Sequence, residues 1–338
     1  MRLTYEIINF WRDEPLVSSK GSRATVRQFL VRLEWEGRIG LGTAVIADDY
    51  GMNEERIRAA LDACAEVFEG SARFDLGRLL DMCAEAAPGQ PSAVAAVDMA
   101  LHDLLGQLAG LPLYQLFGLR GLPLAPTGLT LGLMGEDERV ERARRLSRWP
   151  ILKLKMGGDA DPGVVARIRE VYDGRLWVDG NGSWNAAEAI RAAETFHRHG
   201  VELFEQPVPA GEHETLRFVR ERSKVPIVAD EDCVGVEDVR RLEGCVDVIN
   251  IKLCKCGGLR VALGMIRLAR ETGLKVMLGS KLESAVSITA MAHLSGLADY
   301  LDLDGNLGLR GDGYVGVAID CGRVILPNSP GLGVRPGR

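Results

Sequence analysis

Residues 175–207 read RLWVDGNGSWNAAEAIRAAETFHRHGVELFEQP, and this stretch decides the fold. A short apolar run, RLWVDGN, leads into a polar stretch at helical spacing, NAAEAIRAAETFHRHG, and a second apolar run, VELFEQP, follows. Strand, helix and strand at these lengths make a βα unit. The rhythm continues in both directions. The apolar runs are APTGLTLGL, ILKLKM, RLWVDGN, VELFEQP, VPIVADED, VDVINIKL, LKVMLGS and YLDLDG. Between them lie helical stretches such as VERARRLSR, HETLRFVRERS, VEDVRRLEG and GGLRVALGMIRLARETG. Eight strands with interleaved helices predict an α/β fold of the (β/α) barrel type. An open doubly wound sheet is the competing architecture, but no GxGxxG turn follows the first strand.

The chain before residue 121 is written differently. LTYEIINF and RQFLVRLEWEGRIGLGTAV alternate around EG turns, as antiparallel strands do. Two helical stretches follow, NEERIRAALDACAEVFEG and PSAVAAVDMALHDLLGQLAGLPLYQLFG, the second opening at Pro91-Ser92. Residues 1–120 are therefore expected to form an α+β domain, residues 121–310 the barrel, and residues 311–338 a tail of strand and turn that returns to the first domain.

The 338 residues are 46% hydrophobic and 26% charged, with a net charge of −6, which suits a globular chain with a large core. Nucleic acid calls for a basic face, so no nucleic-acid partner is expected. No apolar run approaches the ~20 residues of a membrane helix. The N-terminal MRLTYEIINFWRDEP has acids and aromatics where a signal peptide is apolar. Seven cysteines without a CxxC pair read as reduced thiols. These features point to the cytoplasm and no membrane; a homo-oligomer is compatible with them.

The polar residues on the predicted strands carry the chemistry. A barrel places its reacting groups at the C-terminal ends of its strands. There the second run has Lys153 and Lys155, the third Asp179 and Asn181, the fourth Glu205, the fifth Asp230 and Glu231, the sixth Lys252 and the eighth Asp302 and Asp304. One acid capping the next helix would be unremarkable. Three successive strands ending in Asp, Glu and Asp converge three carboxylates on one spot, and a hard divalent cation, best Mg2+, relieves their repulsion. Lys153 and Lys155 share a strand face because side chains alternate. Lys252 comes from the other side of the mouth. A metal flanked by lysines on two sides suits proton transfer next to a carboxylate, with Lys153 expected to tune Lys155. The plainer readings are helix caps for the acids and solvated strand ends for the lysines.

In these motifs the sequence resembles the enolase superfamily, in its muconate-lactonizing subgroup. The resemblance covers nearly the whole chain and implies a modified (β/α)7β barrel with a capping domain. AAVDMALHDLLGQLAGLPLYQLFG is similar to the family's hinge between cap and barrel. KLK matches the paired-lysine motif, with Lys155 as base and Lys153 as its neighbour. DGN, EQP and ADED supply Asp179, Glu205 and Asp230 as the implied metal ligands, with Asn181 and Glu231 beside them. NIKLCKCGG supplies Lys252 as the second base. No histidine stands on the seventh strand, as the mandelate racemase branch would require.

LDLDG resembles the Asp-x-Asp motif of dipeptide epimerases, which implies that Asp302 and Asp304 hold the free ammonium of a dipeptide. The implied reaction is two-base inversion of the α-carbon of the C-terminal residue of an L,L-dipeptide, through an enolate and with Mg2+. An N-acylamino acid racemase or o-succinylbenzoate synthase is the alternative, and a non-catalytic relative is a third reading. Substrates of the alternative enzymes leave the two aspartates without a cation. Ala-Glu epimerases place an arginine near SSKGSRATV; here that position falls close to Gly21, with Lys20 and Arg23 as neighbours. LGSKLES puts Lys281 where relatives usually have Met. Lys281, with Arg23, is expected to select an acidic substrate group. Thr43 stands where relatives often carry Glu.

Overall fold

A computed structural model describes residues 1–337 except 20, 70, 72, 122, 158 and 159, and leaves out the side chain at 49. Lys20 therefore lies outside the described residues. Three antiparallel strands, β1 (Arg2–Ser18), β2 (Gly21–Trp35) and β3 (Arg38–Val45), open the chain. Three helices follow: α1 (Glu54–Phe68), α2 (Leu76–Ala86) and α3 (Pro91–Ala109). Asn53 and Asp75 cap α1 and α2 by accepting from Arg56 N and Arg78 N. Proline opens α3 and left-handed Gly110 ends it. β3 lies directly on α3. A Cβ at Gly40 or Gly42 would run into the carbonyls of Ala100 or Ala96, so glycine is what permits the contact.

Eight parallel strands form the second body: β4 (Leu129–Leu131), β5 (Ile151–Lys155), β6 (Arg175–Asp179), β7 (Val201–Glu205), β8 (Ile227–Ala229), β9 (Val248–Ile251), β10 (Lys275–Gly279) and β11 (Tyr300–Asp302). They pair in chain order, and a parallel bridge between Thr127 and Leu301, with Gly128 N donating to Leu301 O at 3.0 Å, brings the first strand round to the last. This is the expected barrel.

The interior is layered. Ile151, Trp177, Leu203, Val228, Val248, Met277 and Tyr300 form one buried cluster across seven strands. Side chains alternate along a strand, so residues two or four further on point into the same interior. Those residues are Lys153 and Lys155, Asp179, Glu205, Asp230, Asn250 and Lys252, Gly279, and Asp302. The polar residues thus sit as the upper layers on an apolar plug. Register places Lys155 beside Asp179, and Asp179 beside Glu205.

The two bodies are tied together in several places. Leu309–Arg310 adds to the edge of β1. Asp103 of α3 accepts from Leu41 N at 3.0 Å and Leu332 N at 2.8 Å, joining β3, α3 and the C-terminal segment. Thr43 hydrogen-bonds Ser287 in helix Ala285–Ala292 of the barrel. That bond gives the residue at this unusual position a structural use.

Candidate active site

Asp179 and Glu205 end their strands, and Asp230 follows β8 directly. Their ligand atoms lie within 4.8 Å of one another, and all three residues are buried. Lys153 Nζ sits among them, 2.7 Å from Glu205 Oε2, 3.2 Å from Asp179 Oδ2 and 2.7 Å from Asp302 Oδ2. Lys155 donates to Asp179 Oδ2 at 2.6 Å, and Lys252 to Asp230 Oδ2 at 2.7 Å.

Charges this deep reshape each other's titration. Burial acts to raise the Asp179 carboxyl, but Lys155 and Lys153 outweigh it and hold the group below the usual carboxylate range. Asp230 is likewise held down, by Lys252 and Lys255 against burial. Glu205 goes the other way: burial and the Asp179 charge push it up to about 8. Burial opposes the Lys153 and Lys252 ammoniums, yet the surrounding carboxylates keep both well above the usual lysine range. Lys153 is therefore a cation shared between acids rather than only a like-charge neighbour of Lys155.

The acid cluster fits a divalent cation. All three side chains offer hard oxygen donors at one point. Glu205 Oε2 is buried and lacks an aligned hydrogen bond among the described residues, its approach to Lys153 being an ion pair. The acid whose ionisation is opposed by its neighbours is the one a cation would relieve.

Residues beyond the strand ends orient this cluster. Asn181 N donates to Asp179 Oδ1 at 3.0 Å, and its side chain reaches Glu231 at 3.4 Å. Gln206, with a left-handed φ of 35°, accepts from Asp230 N at 3.1 Å and donates to Asp232 Oδ2 at 2.7 Å. Asn250 donates to Glu205 Oε1 at 3.1 Å, in space left by Gly279, where a Cβ would strike the amide. Lys255 donates to Asp230 Oδ1 at 2.6 Å. Sequence reasoning passed over Gln206, Asp232, Asn250 and Lys255. Asn250 is the one with a readable signal, because it lies two residues before Lys252 on the same strand face.

Asp302 and Asp304 differ. Asp302 ends β11 and pairs with Lys153, while its buried Oδ1 has no hydrogen-bond partner among the described residues. Asp304 lies past the strand, where Leu303 N has turned to Thr127 Oγ1 at 2.7 Å. Its Oδ2 accepts from Thr130 N at 2.6 Å, and burial together with Asp302 raises its pKa. A pocket above the cluster is lined by Lys153, Lys155, Asn181, Asp230, Glu231, Lys252, Lys281, Asp302 and Asp304 from the barrel. Asp179 and Glu205 lie beneath this lining. The cap contributes Arg12, Leu16, Ser18, Arg23 and Tyr50. Lys281 Nζ stands 4.3 Å from the Tyr50 ring centroid, a cation–π contact. Arg12, which the sequence reading did not single out, donates to Leu307 O at 3.1 Å and Glu14 O at 3.2 Å.

Known proteins share this architecture. Residues 3–118 match the family described as mandelate racemase / muconate lactonizing enzyme, N-terminal domain, and residues 137–338 match enolase C-terminal domain-like. An L-Ala-D/L-Glu epimerase of Bacteroides thetaiotaomicron is 34% identical, over 93% of this chain and 82% of the relative. A hydrophobic dipeptide epimerase of Roseobacter litoralis is 38% identical over 98% of each. The crystal structure of a dipeptide epimerase from Enterococcus faecalis, complexed with Mg and the dipeptide L-Leu-L-Tyr, superposes with a TM-score of 0.93 at 30% identity over 98% of each chain. The chain belongs to the mandelate racemase / muconate lactonizing enzyme family of the enolase superfamily.

Proposed function

We propose that this chain is a Mg2+-dependent dipeptide epimerase that inverts the α-carbon of the C-terminal residue of an L,L-dipeptide. The observation that carries the reading is the opposition of two lysines. Lys155 ends β5 and Lys252 follows β9, four strands apart in a ring of eight, with the three acids on the strands between them. Asp179, Glu205 and Asp230 would hold the cation, which would draw charge from the substrate carboxylate as the adjacent carbon loses its proton. One lysine takes the α-proton from one face, and the other delivers a proton to the opposite face, so atoms and charge balance. Lys153 bridges the acids on the side of Asp302. Asp302 Oδ1, buried and without a hydrogen-bond partner among the described residues, together with Asp304 suits the substrate ammonium.

The domains divide the work in this reading. Residues 121–310 carry the chemistry, residues 1–120 cover it and select, and residues 311–338 brace the cover. The cap arginines Arg12 and Arg23, with Lys281, favour an acidic side chain on the substrate.

The test is proton exchange. L,L-dipeptides incubated in D2O with Mg2+ should gain one mass unit at the C-terminal α-carbon, and Lys155→Ala and Lys252→Ala should each lose exchange with the epimer whose proton the missing lysine removes. Turnover of N-succinyl amino acids without exchange on any dipeptide would overturn the assignment.

A further inference from the structure

We propose that Lys255 is a positioning residue that clamps Asp230 from outside the pocket, leaving Lys252 free to engage substrate. The inference rests on Asp230 being a metal ligand. Lys255 is 1% exposed and is not among the residues lining the pocket. Its ammonium has three protons and three acceptors: Asp230 Oδ1 at 2.6 Å, the Asp230 carbonyl, and Asn250 O at 3.4 Å. Lys255 thus grips both ends of one residue and the neighbouring strand.

Lys252 takes the other oxygen, Asp230 Oδ2, and does line the pocket. The two lysines lie three residues apart and bracket one carboxylate from opposite sides. The division has a physical consequence. If Lys252 were the sole side chain pairing with Asp230, its turning to the substrate would leave the orientation of a buried carboxylate to the cation alone. With Oδ1 and the main chain held by Lys255, the carboxylate keeps its plane and part of its counter-charge while Lys252 moves.

The cap helix fixes this clamp in turn. Lys255 belongs to the short helix Leu253–Cys256, which runs into Gly257 and Gly258. Gly258 has a φ of +115° and packs on Asp98 of α3 so closely that a Cβ would strike that side chain. Asp98 accepts from Leu259 N at 2.6 Å and Arg260 N at 3.3 Å, anchoring the next helix.

Two neutral replacements test the clamp, Lys255→Met and Lys255→Gln; Gln keeps a donor in the buried site if Met prevents folding. Calorimetric titration of metal-free protein with Mg2+ should show binding weaker by about 10–100-fold, the range for residues that orient ligands. Exchange in D2O should fall unequally, at least tenfold more for the epimer whose proton Lys252 removes. Weakening of less than threefold, or equal loss for the two epimers, would overturn the proposal, since a purely structural lysine predicts one of these. The metal titration needs no substrate, so it reads the clamp even if the wild type exchanges no dipeptide.

Discussion

The floor and the roof of the pocket are built on different principles. The floor consists of strand ends in fixed register, Lys155 beside Asp179 and Asp179 beside Glu205, standing on a layer of apolar side chains. Its charged groups are buried, Lys155 only in part, and satisfied mostly by one another. The roof consists of a hairpin and loops that approach from other parts of the chain: Arg12, Leu16 and Ser18 on β1, Arg23 on β2, Tyr50 after β3, and Lys281 past β10. Arg23 is exposed, and Arg12 donates to the backbone carbonyls of Glu14 and Leu307. The difference separates reaction from selection. Chemistry needs distances held by rigid elements, whereas discrimination among side chains tolerates a cover that varies.

The sharpest break of this comparison targets the floor. Lys155→Ala or Lys252→Ala should lower epimerisation by about 10²–10⁴-fold, the worth of a positioned acid–base group. Each should spare exchange with one epimer more than the other. A chiral separation of labelled products checks it. Equal loss with both epimers would mean that the two lysines do not work opposite faces, and the floor would lose its two-sided design.

Metal binding probes the same floor through pH. Glu205 titrates at about 8, far above its ordinary 4.5. In metal-free protein the stability tied to its proton is fully present below the ordinary value and is lost as pH rises towards 8. The thermal midpoint without metal should therefore decline across that window, and Mg2+ should restore it most at the alkaline end. Below pH 8 the cation must displace this proton, so its apparent affinity should rise by about tenfold per pH unit and then level off. Titrations in buffers of different ionisation enthalpy would count the released proton. In Glu205→Gln the slope should vanish and affinity should drop at all pH values.

The same contrast explains what the sequence discloses. Strand ends are legible because alternation and the βα rhythm place them without any knowledge of the rest of the chain. Ile151, Lys153 and Lys155 must share a face, and successive acids at 179, 205 and 230 must converge once the strands close a ring. Gln206 and Lys255 escape the same logic. Gln206 reaches Asp230 N and Asp232 only because its backbone turns left-handed after β7, and Lys255 reaches Asp230 only through a one-turn helix. Arg12 is more hidden still. Its place over the pocket depends on the path of a seventeen-residue strand and on the loop at Leu307, which is 295 positions away. Burial also reverses a charge argument. Lys153 beside Lys155 suggests repulsion in the sequence, but three carboxylates surround Lys153 in the fold.

The smallest effects belong to the roof, and they rank its cations. A substrate carboxylate would meet Arg12 with its guanidinium committed, among the described residues, to two neutral carbonyls, so Arg12→Met should raise KM for dipeptides with an acidic side chain by about tenfold, the loss of one charge-assisted contact. KM for neutral dipeptides should stay nearly constant. Arg23→Met should act in the same direction but less, because an exposed charge is screened. Lys281→Met should change the acidic-to-neutral ratio least. Its ammonium already rests on the Tyr50 ring, and turning to substrate would forfeit that contact. Steady-state kinetics on one acidic and one neutral dipeptide, read as the ratio of kcat/KM values, sets the order. If Lys281→Met gave the largest shift, selection would lie at the rim of the barrel rather than in the cap.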